Sequence, residues 1–469
     1  MTTHLPAQRI DQDGVKHVDV RAIIALAAPL FFNSSLQVVL NLTDTWFIGK
    51  LSTDAMAAMG ACYYLVFVFF LLIGGVGMGV QTLVAQAYGA GRYSEAAKAG
   101  WSGLWGSLFT TPLFLLVAFQ GNWFLSPFGL DPHVSELANQ FWMPRLLGGS
   151  ISAILYSLNS FFNGISRPRV SLWVMLTVML TNALFNELFI VYLHMGIRGA
   201  AWASTLALVV GVIIGLLFFV SPLFHREFHT RSAWRPSFTG LVQVFRLGVP
   251  TGLFPAVDVI GLALFQLMQV RLSSVDGAAT QIVMMLTSVA YMPAIGIALA
   301  GTTLVGQSIG AGDKNWAMRC AKVIMLMSMI YMGVTGLILA LSGHWVMSMF
   351  VSEGQFDQSV TDLGQKLLWI AAAYQVFDGL NLSSSFCLRG AGDVRFPTLM
   401  LLVLSWLVFM PLCHMLTFLP QQGWVDFLPQ FGWGAVGGWI AALVYTICLG
   451  FSLWLRWRSQ AWQKINVFS

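Results

Sequence analysis

Apolar stretches long enough to cross a bilayer recur twelve times along the 469 residues of this chain, and no other feature narrows its folding options as much. A hydrocarbon core of about 30 Å takes about 20 apolar residues in a helix. The stretches fall near 22–48, 56–85, 99–119, 141–164, 170–193 and 199–220, then near 244–270, 278–308, 320–342, 365–388, 397–417 and 434–456. Only 9% of the residues are charged, against about 25% in soluble domains. That is too little polar side chain to clothe a water-facing surface. A soluble enzyme, a disordered chain and a nucleic-acid binder are excluded, and an all-α integral membrane protein remains.

Lysine and arginine concentrate on the cytoplasmic side of membrane helices. With the N-terminus placed inside, the cytoplasmic segments hold eighteen of them and the external segments four: Lys50, Arg198, Arg271 and Lys366. Arg145 and Arg246 fall near helix ends. One helix more or fewer would scramble this asymmetry, so twelve helices with both termini cytoplasmic are expected. The net charge of +5 is then a topology signal that needs no anionic partner. Residues 1–21 are polar and lack an apolar h-region, so no cleaved signal peptide is expected.

The chain repeats itself. Residues 75–91 read GVGMGVQTLVAQAYGAG and residues 296–312 read GIALAGTTLVGQSIGAG, an offset of 221 that also carries Pro29 onto Pro250. Gly164 and Arg169 recur as Gly390 and Arg395 at an offset of 226. Two six-helix lobes, 22–220 and 243–456, follow, joined by a basic cytoplasmic linker at 221–242 and flanked by tails 1–21 and 457–469. Because six is even, the lobes enter from the same side and are related by a pseudo-two-fold axis along the membrane normal, the parallel kind of transporter repeat. Two facing bundles enclose a central cavity and can rock between two openings.

Five single cysteines form no CxxC pair, and His225 and His229 around Glu227 do not make the HExxH zinc motif. Four acids fall inside apolar stretches: Asp44, Glu187, Asp258 and Asp378. A charged Asp at a helix centre costs about 2.5–3.5 kcal/mol on insertion scales. Intramembrane acids typically bind protons, metal cations or cationic substrates. Each also has a structural alternative. Asp44 lies six residues before Lys50 and could snorkel; Asp258, close to Pro250 and Pro255, could glue helices together. Tyr374 stands one turn before Asp378 and could simply hydrogen-bond it. For Glu187 the structural and functional readings weigh equally. Asn182 and Asn186, at i and i+4, place two amides on one helix face, either for interhelical hydrogen bonding or, beside a carboxylate such as Asp44, for a Na⁺ or proton site.

Four segments in order, NLTDTWFIGKLS, LVAQAYGAGR with its copy LVGQSIGAG, NALFNELFIVYLHMGIRGAAWAS and YQVFDGLNLSSSFCLRGAGD, resemble the multidrug and toxin extrusion (MATE) family, its NorM-like bacterial branch in particular. The similarity runs over roughly residues 20–460. The resemblance implies a multi-pass transporter of the bacterial inner membrane, without enzymatic activity or cofactor, that expels cationic amphipathic compounds in exchange for Na⁺ or H⁺. Its partners would be small organic cations, the coupling ion and membrane lipids, with no nucleic acid, and it would act as a monomer. The family's N-lobe cation site falls on Asp44, Asn182, Asn186 and Ser204 or its neighbour Thr205. Its C-lobe acids and tyrosine fall on Asp258, Asp378 and Tyr374, with Asp258 where Glu is usual. Na⁺ would sit at Asp258, Asp378 and Tyr374, or at Asp44, Asn182 and Asn186. Met284 and Met285, with Phe254, Phe265 and Tyr291, offer an adaptable apolar cavity wall, although such residues are commonly bundle packing. The main competing expectation is a lipid-linked saccharide flippase of the wider superfamily. That activity calls for basic groups in the cavity, and here only Arg145 is positioned to be one.

Overall fold

The computed structural model of the chain describes residues 5–11, 14–348 and 357–468, so the two tails are seen only in part. Ten helices among them are long and apolar enough to cross a membrane. In the first lobe these are α1 (Val20–Gly49), α2 (Thr53–Gly89), α3 (Tyr93–Ala118), α5 (Pro168–Tyr192) and α6 (Gly196–Phe219). In the second they are α7 (Phe238–Leu272), α8 (Ser274–Gly310), α9 (Lys314–Leu341), α11 (Arg395–Thr417) and α12 (Gly434–Arg458). The other two of the twelve are α4, built from Pro132–Leu147 and Gly149–Gly164, and α10, Asp357–Gly390. These two are repeat-mates, and both carry charge inside the bundle: Arg145 in α4, Asp378 and Arg389 in α10. They run longer than their apolar stretches because polar turns extend each helix beyond the lipid core.

The duplication is visible in the local structure. Ser52 caps α2, its hydroxyl accepting from the Ala55 N–H at 3.0 Å, and Ser273 caps α8 through the Asp276 N–H at 3.0 Å. Both helices are 37 residues long. Each is followed by a glycine with positive φ, Gly91 at 70° and Gly312 at 84°, a conformation that costs a residue with a Cβ. One shared feature had no sequence signal. The last turns of α5 (Glu187–Tyr192) and a mid-section of α11 (Ser405–Phe409) are wound as π-helix. Such segments are rare and often sit at functional sites.

The lobes meet through small residues and buried amides. Gln86 Nε2 donates to the Gly390 carbonyl at 3.0 Å, and Gln307 Nε2 donates to the Gly164 carbonyl at 2.8 Å. Thr82 Oγ1 donates to the Arg389 carbonyl at 2.8 Å, and Thr303 Oγ1 to that of Asn163 at 3.0 Å. Contacts exchanged in this way are the mark of a two-fold interface. Backbones close to touching distance here. A methyl on Gly89 would stand 2.0 Å from the Gln307 carbonyl oxygen, and one on Gly310 would stand 2.0 Å from that of Gln86. Thr82, Gln86 and Gly89 on α2 and Thr303, Gln307 and Gly310 on α8 lie in the C-terminal halves of those helices, at the end of the bundle nearest the two chain termini.

Three segments outside the twelve apolar stretches are ordered. Gln8–Ile10 pairs antiparallel with Lys16–Val18, and Trp316 Nε1 on α9 donates to the Pro6 carbonyl at 2.9 Å, so the N-terminal tail is pinned to the second lobe. The linker holds a short helix, Pro222–Phe228, whose Phe224 and Phe228 are buried against Phe161 and Phe162. Near the C-terminus Trp462 is buried and stacks on Trp457 with ring centroids 4.5 Å apart. In each case an aromatic side chain makes the docking contact: Trp316 of α9 on the tail, Phe224 and Phe228 of the linker, and Trp462 near the C-terminus.

Candidate functional site

The N-lobe polar cluster is assembled from three helices. Asp44 on α1 is buried and accepts from Asn186 Nδ2 at 2.7 Å and Asn182 Nδ2 at 3.0 Å through Oδ1. Its Oδ2 accepts from Ser204 Oγ at 2.6 Å. Asn182 and Asn186 share a face of α5 as their spacing requires, and Asn186 Nδ2 also reaches Asn182 Oδ1 at 3.2 Å. A carboxylate offers about four acceptor sites, and these donors fill three. The choice between Ser204 and Thr205 is settled by geometry. Ser204 faces Asp44, whereas Thr205 Oγ1 turns to α4 and donates at 2.8 Å to the Pro144 carbonyl. That carbonyl needs a donor because the break in α4 sends the Gly148 N–H to Arg145 instead. Glu187 is exposed at the start of the π-helical segment and does not join the cluster.

Sequence reasoning singled out Asp44 on α1 but missed its companions. Asn33, Gln37, Asn41 and Asp44 follow one another at intervals of four, four and three, so one face of α1 is polar. Asn41 Nδ2 donates to the Tyr63 hydroxyl at 2.7 Å. Gln37, Asn41, Tyr63, Arg145, Tyr156 and Asn159 line a cavity of about 70 Å³, with Ser204 in its wall. The helical period of polar residues was the available signal.

The C-lobe acids are placed differently. Asp378 on α10 is buried and its one hydrogen bond among the described residues comes from Asn381 Nδ2 at 3.3 Å. Asp258 on α7 is half-buried, lies within electrostatic reach of Asp378, and has no hydrogen-bonding partner among the described residues. The phenols of Tyr291, Tyr374 and Tyr445 lie within reach of both carboxylates. Tyr374 does not hydrogen-bond Asp378; its ring packs edge-on to Trp439 at 6.5 Å. So the N-lobe carboxylate is surrounded by donors, and the C-lobe pair is short of them. The prolines before Asp258 leave α7 unbroken from Phe238 to Leu272.

Of the expected apolar wall, Met284 packs half-buried on the C-lobe core and Met285 lies exposed. Phe265 is core, sealed between Phe409 and Trp439. Among the described residues no cluster of three or more His, Cys, Asp or Glu side chains could hold a metal ion. Glu227, between the two linker histidines, is instead paired with Arg167.

Twelve helices in two repeated lobes, each with acids inside the bundle, define a polytopic membrane protein of the transporter class. The chain belongs to the MatE family, whose profile matches residues 29–188 and 250–415, one match in each lobe. Among its relatives are probable multidrug resistance proteins NorM. The one from Rhizobium meliloti is 27% identical, with 82% of this chain and 84% of the relative covered. The one from Thermotoga maritima is 24% identical, with 96% and 94% covered. Among solved structures, a MATE protein in complex with MaL6 superposes with a TM-score of 0.82 at 18% identity, over 94% of this chain and 97% of that one. An outward-facing multidrug resistance MATE transporter superposes at 0.80 and 19%, over 94% and 96%. At these identities the superpositions speak for the fold.

Proposed function

We propose that the chain is a secondary multidrug efflux transporter that exchanges external Na⁺ or H⁺ for amphipathic organic cations by alternating access. The observation that carries this reading is the contrast between the two lobes. Asp258 and Asp378 place two carboxylates close together with few donors, so a cation or proton there relieves both burial and mutual repulsion. Asp44 already has three donors, and the Asn182 and Asn186 amides point their nitrogens at it. The coupling ion therefore belongs first to the C-lobe, with Tyr374 as a further oxygen ligand if it is Na⁺. The NorM relatives support the drug-efflux assignment.

With both termini cytoplasmic in a bacterial inner membrane, the end at which the lobes are latched is the inner one, and this arrangement is the outward-open state. A ligand shifts such an equilibrium only through unequal affinity for its two states. External cation neutralises the C-lobe acids and favours drug release outside; the same charges accept drug once the cavity opens inward. The protein works as a monomer, since each chain contains both lobes of the pathway.

Ethidium efflux from proteoliposomes under a Na⁺ gradient and a pH gradient, imposed separately, tests this. Efflux under one gradient names the coupling ion. No efflux under either would move the flippase reading forward, although a pyrophosphate-bearing substrate calls for several basic groups and this N-lobe cavity offers Arg145 alone.

A further inference from the structure

A groove of about 610 Å³ opens on the outer surface of the bundle, at the end that carries the chain termini. Its volume falls in the range of small-molecule sites, about 300–1,000 Å³. Phe238, Leu241, Val242, Phe245 and Arg246 of α7 line it, with Arg395 at the start of α11. The groove follows the seam between the lobes. There α7 lies so close to α2 that a methyl on Gly79 would stand 2.6 Å from the Gly248 nitrogen. Phe245 then reaches α3 of the first lobe, where a methyl on Gly106 would stand 3.6 Å from its ring.

The lining combines an uncovered apolar strip with two cations. Phe238 is 82% exposed and Val242, one turn on, is 48% exposed. With Phe245 and Val249 they fall at intervals of four, three and four, on one face of α7. A strip of this kind marks a surface for membrane or protein. Arg246 and Arg395 are both exposed beside it. Acids at this end are paired elsewhere: Glu95 with Arg92, Glu227 with Arg167 and Asp393 with Arg456. Among the described residues Arg395 has no acid within 4.0 Å. Two guanidiniums on the rim of an apolar trough complement an anion that carries hydrocarbon. Their long stems can lie on the apolar wall while the charged heads stay at headgroup level.

With this end cytoplasmic, the groove lies in the inner leaflet, whose anionic lipids attract basic residues beside membrane helices. We propose that the groove binds an anionic diacyl phospholipid of the phosphatidylglycerol class. Arg246 and Arg395 hold its phosphate, and one acyl chain lies along Phe238, Val242 and Phe245. A soluble phosphate would use the arginines and leave the apolar wall uncovered. The inference goes beyond the efflux reading and takes from it only which end faces the cytoplasm.

Native mass spectrometry of the purified full-length protein with added phosphatidylglycerol or phosphatidylcholine counts the bound lipids and gives their affinities. Two guanidiniums near a lipid phosphate correspond to about ten- to thirtyfold in affinity. Wild type is expected to prefer phosphatidylglycerol, and Arg246→Gln/Arg395→Gln to lose that preference by about this factor. Arg226→Gln/Arg458→Gln removes the same charge from exposed positions outside the groove and is expected to keep it. Phe238→Ser/Val242→Ser, with both arginines in place, is expected to weaken phosphatidylglycerol binding as well. A melting temperature near that of wild type reports that each variant is folded. Equal losses in the two arginine pairs, or no preference in wild type, overturn the proposal. Displacement of the lipid by excess inorganic phosphate overturns it in favour of a simple anion site. Binding is read without a gradient, so lipid binding as expected with no ethidium efflux overturns the efflux reading alone.

Discussion

The side-chain amide of Gln86 donates to the backbone carbonyl of Gly390 across the lobe interface at 3.0 Å, and its repeat-mate Gln307 makes the matching bond to Gly164 at 2.8 Å. The acceptors are the last helical residues of α10 and α4, whose carbonyls have no partner within their own helices. Each lobe therefore completes the helix ends of the other. Such a latch holds while the lobes are together at this end and must break when they part.

Removing the latch should shift the conformational equilibrium. A buried carbonyl left without its donor costs about 1–3 kcal/mol. In Gln86→Ala, and more so in Gln86→Ala/Gln307→Ala, the lobes are expected to separate more often at the terminus-bearing end. Spin labels at the exposed Arg92 and Lys314, just beyond α2 and α8, would report a longer mean distance. An unchanged distance distribution in the double variant would refute a latch role.

Glycine at the crossing is a stricter requirement. The Cβ of Gly310→Val would stand 2.0 Å from the Gln86 carbonyl oxygen, and backbone cannot retreat as a flexible side chain can. This variant is expected to insert normally yet fail to close, with efflux lost. Gly91→Ala is the comparison, since nothing lies within 4 Å of its Cβ and only the positive φ is strained. It should lower thermal stability by about 1–2 kcal/mol and spare efflux.

Asp44→Asn replaces an acceptor by an amide in front of three donors. The Asn oxygen can still accept from Asn182 and Asn186, but its amide then faces Ser204, whose hydroxyl turns to the Ala200 carbonyl. Charge-assisted hydrogen bonds become neutral ones, and about 1 kcal/mol of stability should be lost, visible as a lower melting temperature together with weaker ethidium efflux. Glu187→Gln, exposed on α5, should change neither. Equal effects at the two positions would mean that the hydrogen-bonded cluster is not what matters.

Asp378→Asn should abolish gradient-driven efflux without reducing membrane insertion, since it removes one of two neighbouring carboxylates while keeping the side chain's shape. Its melting temperature should hold or rise, because burial no longer involves like charges. Full efflux activity in this variant would remove the C-lobe from the coupling mechanism.

The sequence by itself determined the membrane class, the number of helices, the repeat and which four acids fall within apolar stretches. Each follows from one-dimensional information: the length of an apolar run, the side on which lysine and arginine accumulate, the 221-residue offset, and the cost of an acid in lipid. It also put Asn182 and Asn186 on one face, because helical spacing is local. Tertiary structure decided the rest. Only packing brought α1, α5 and α6 together so that Ser204 and not Thr205 met Asp44, and only packing left Glu187 outside. The repeat motifs around Gln86 and Gly164 were legible, but their pairing across the interface was not, since an offset says what is equivalent and not what touches. The groove shared by Arg246 and Arg395 and the π-helical turns were equally hidden. Whether a buried charge is paired, and how a helix winds where neighbours press on it, depend on residues a hundred positions away brought within hydrogen-bonding distance.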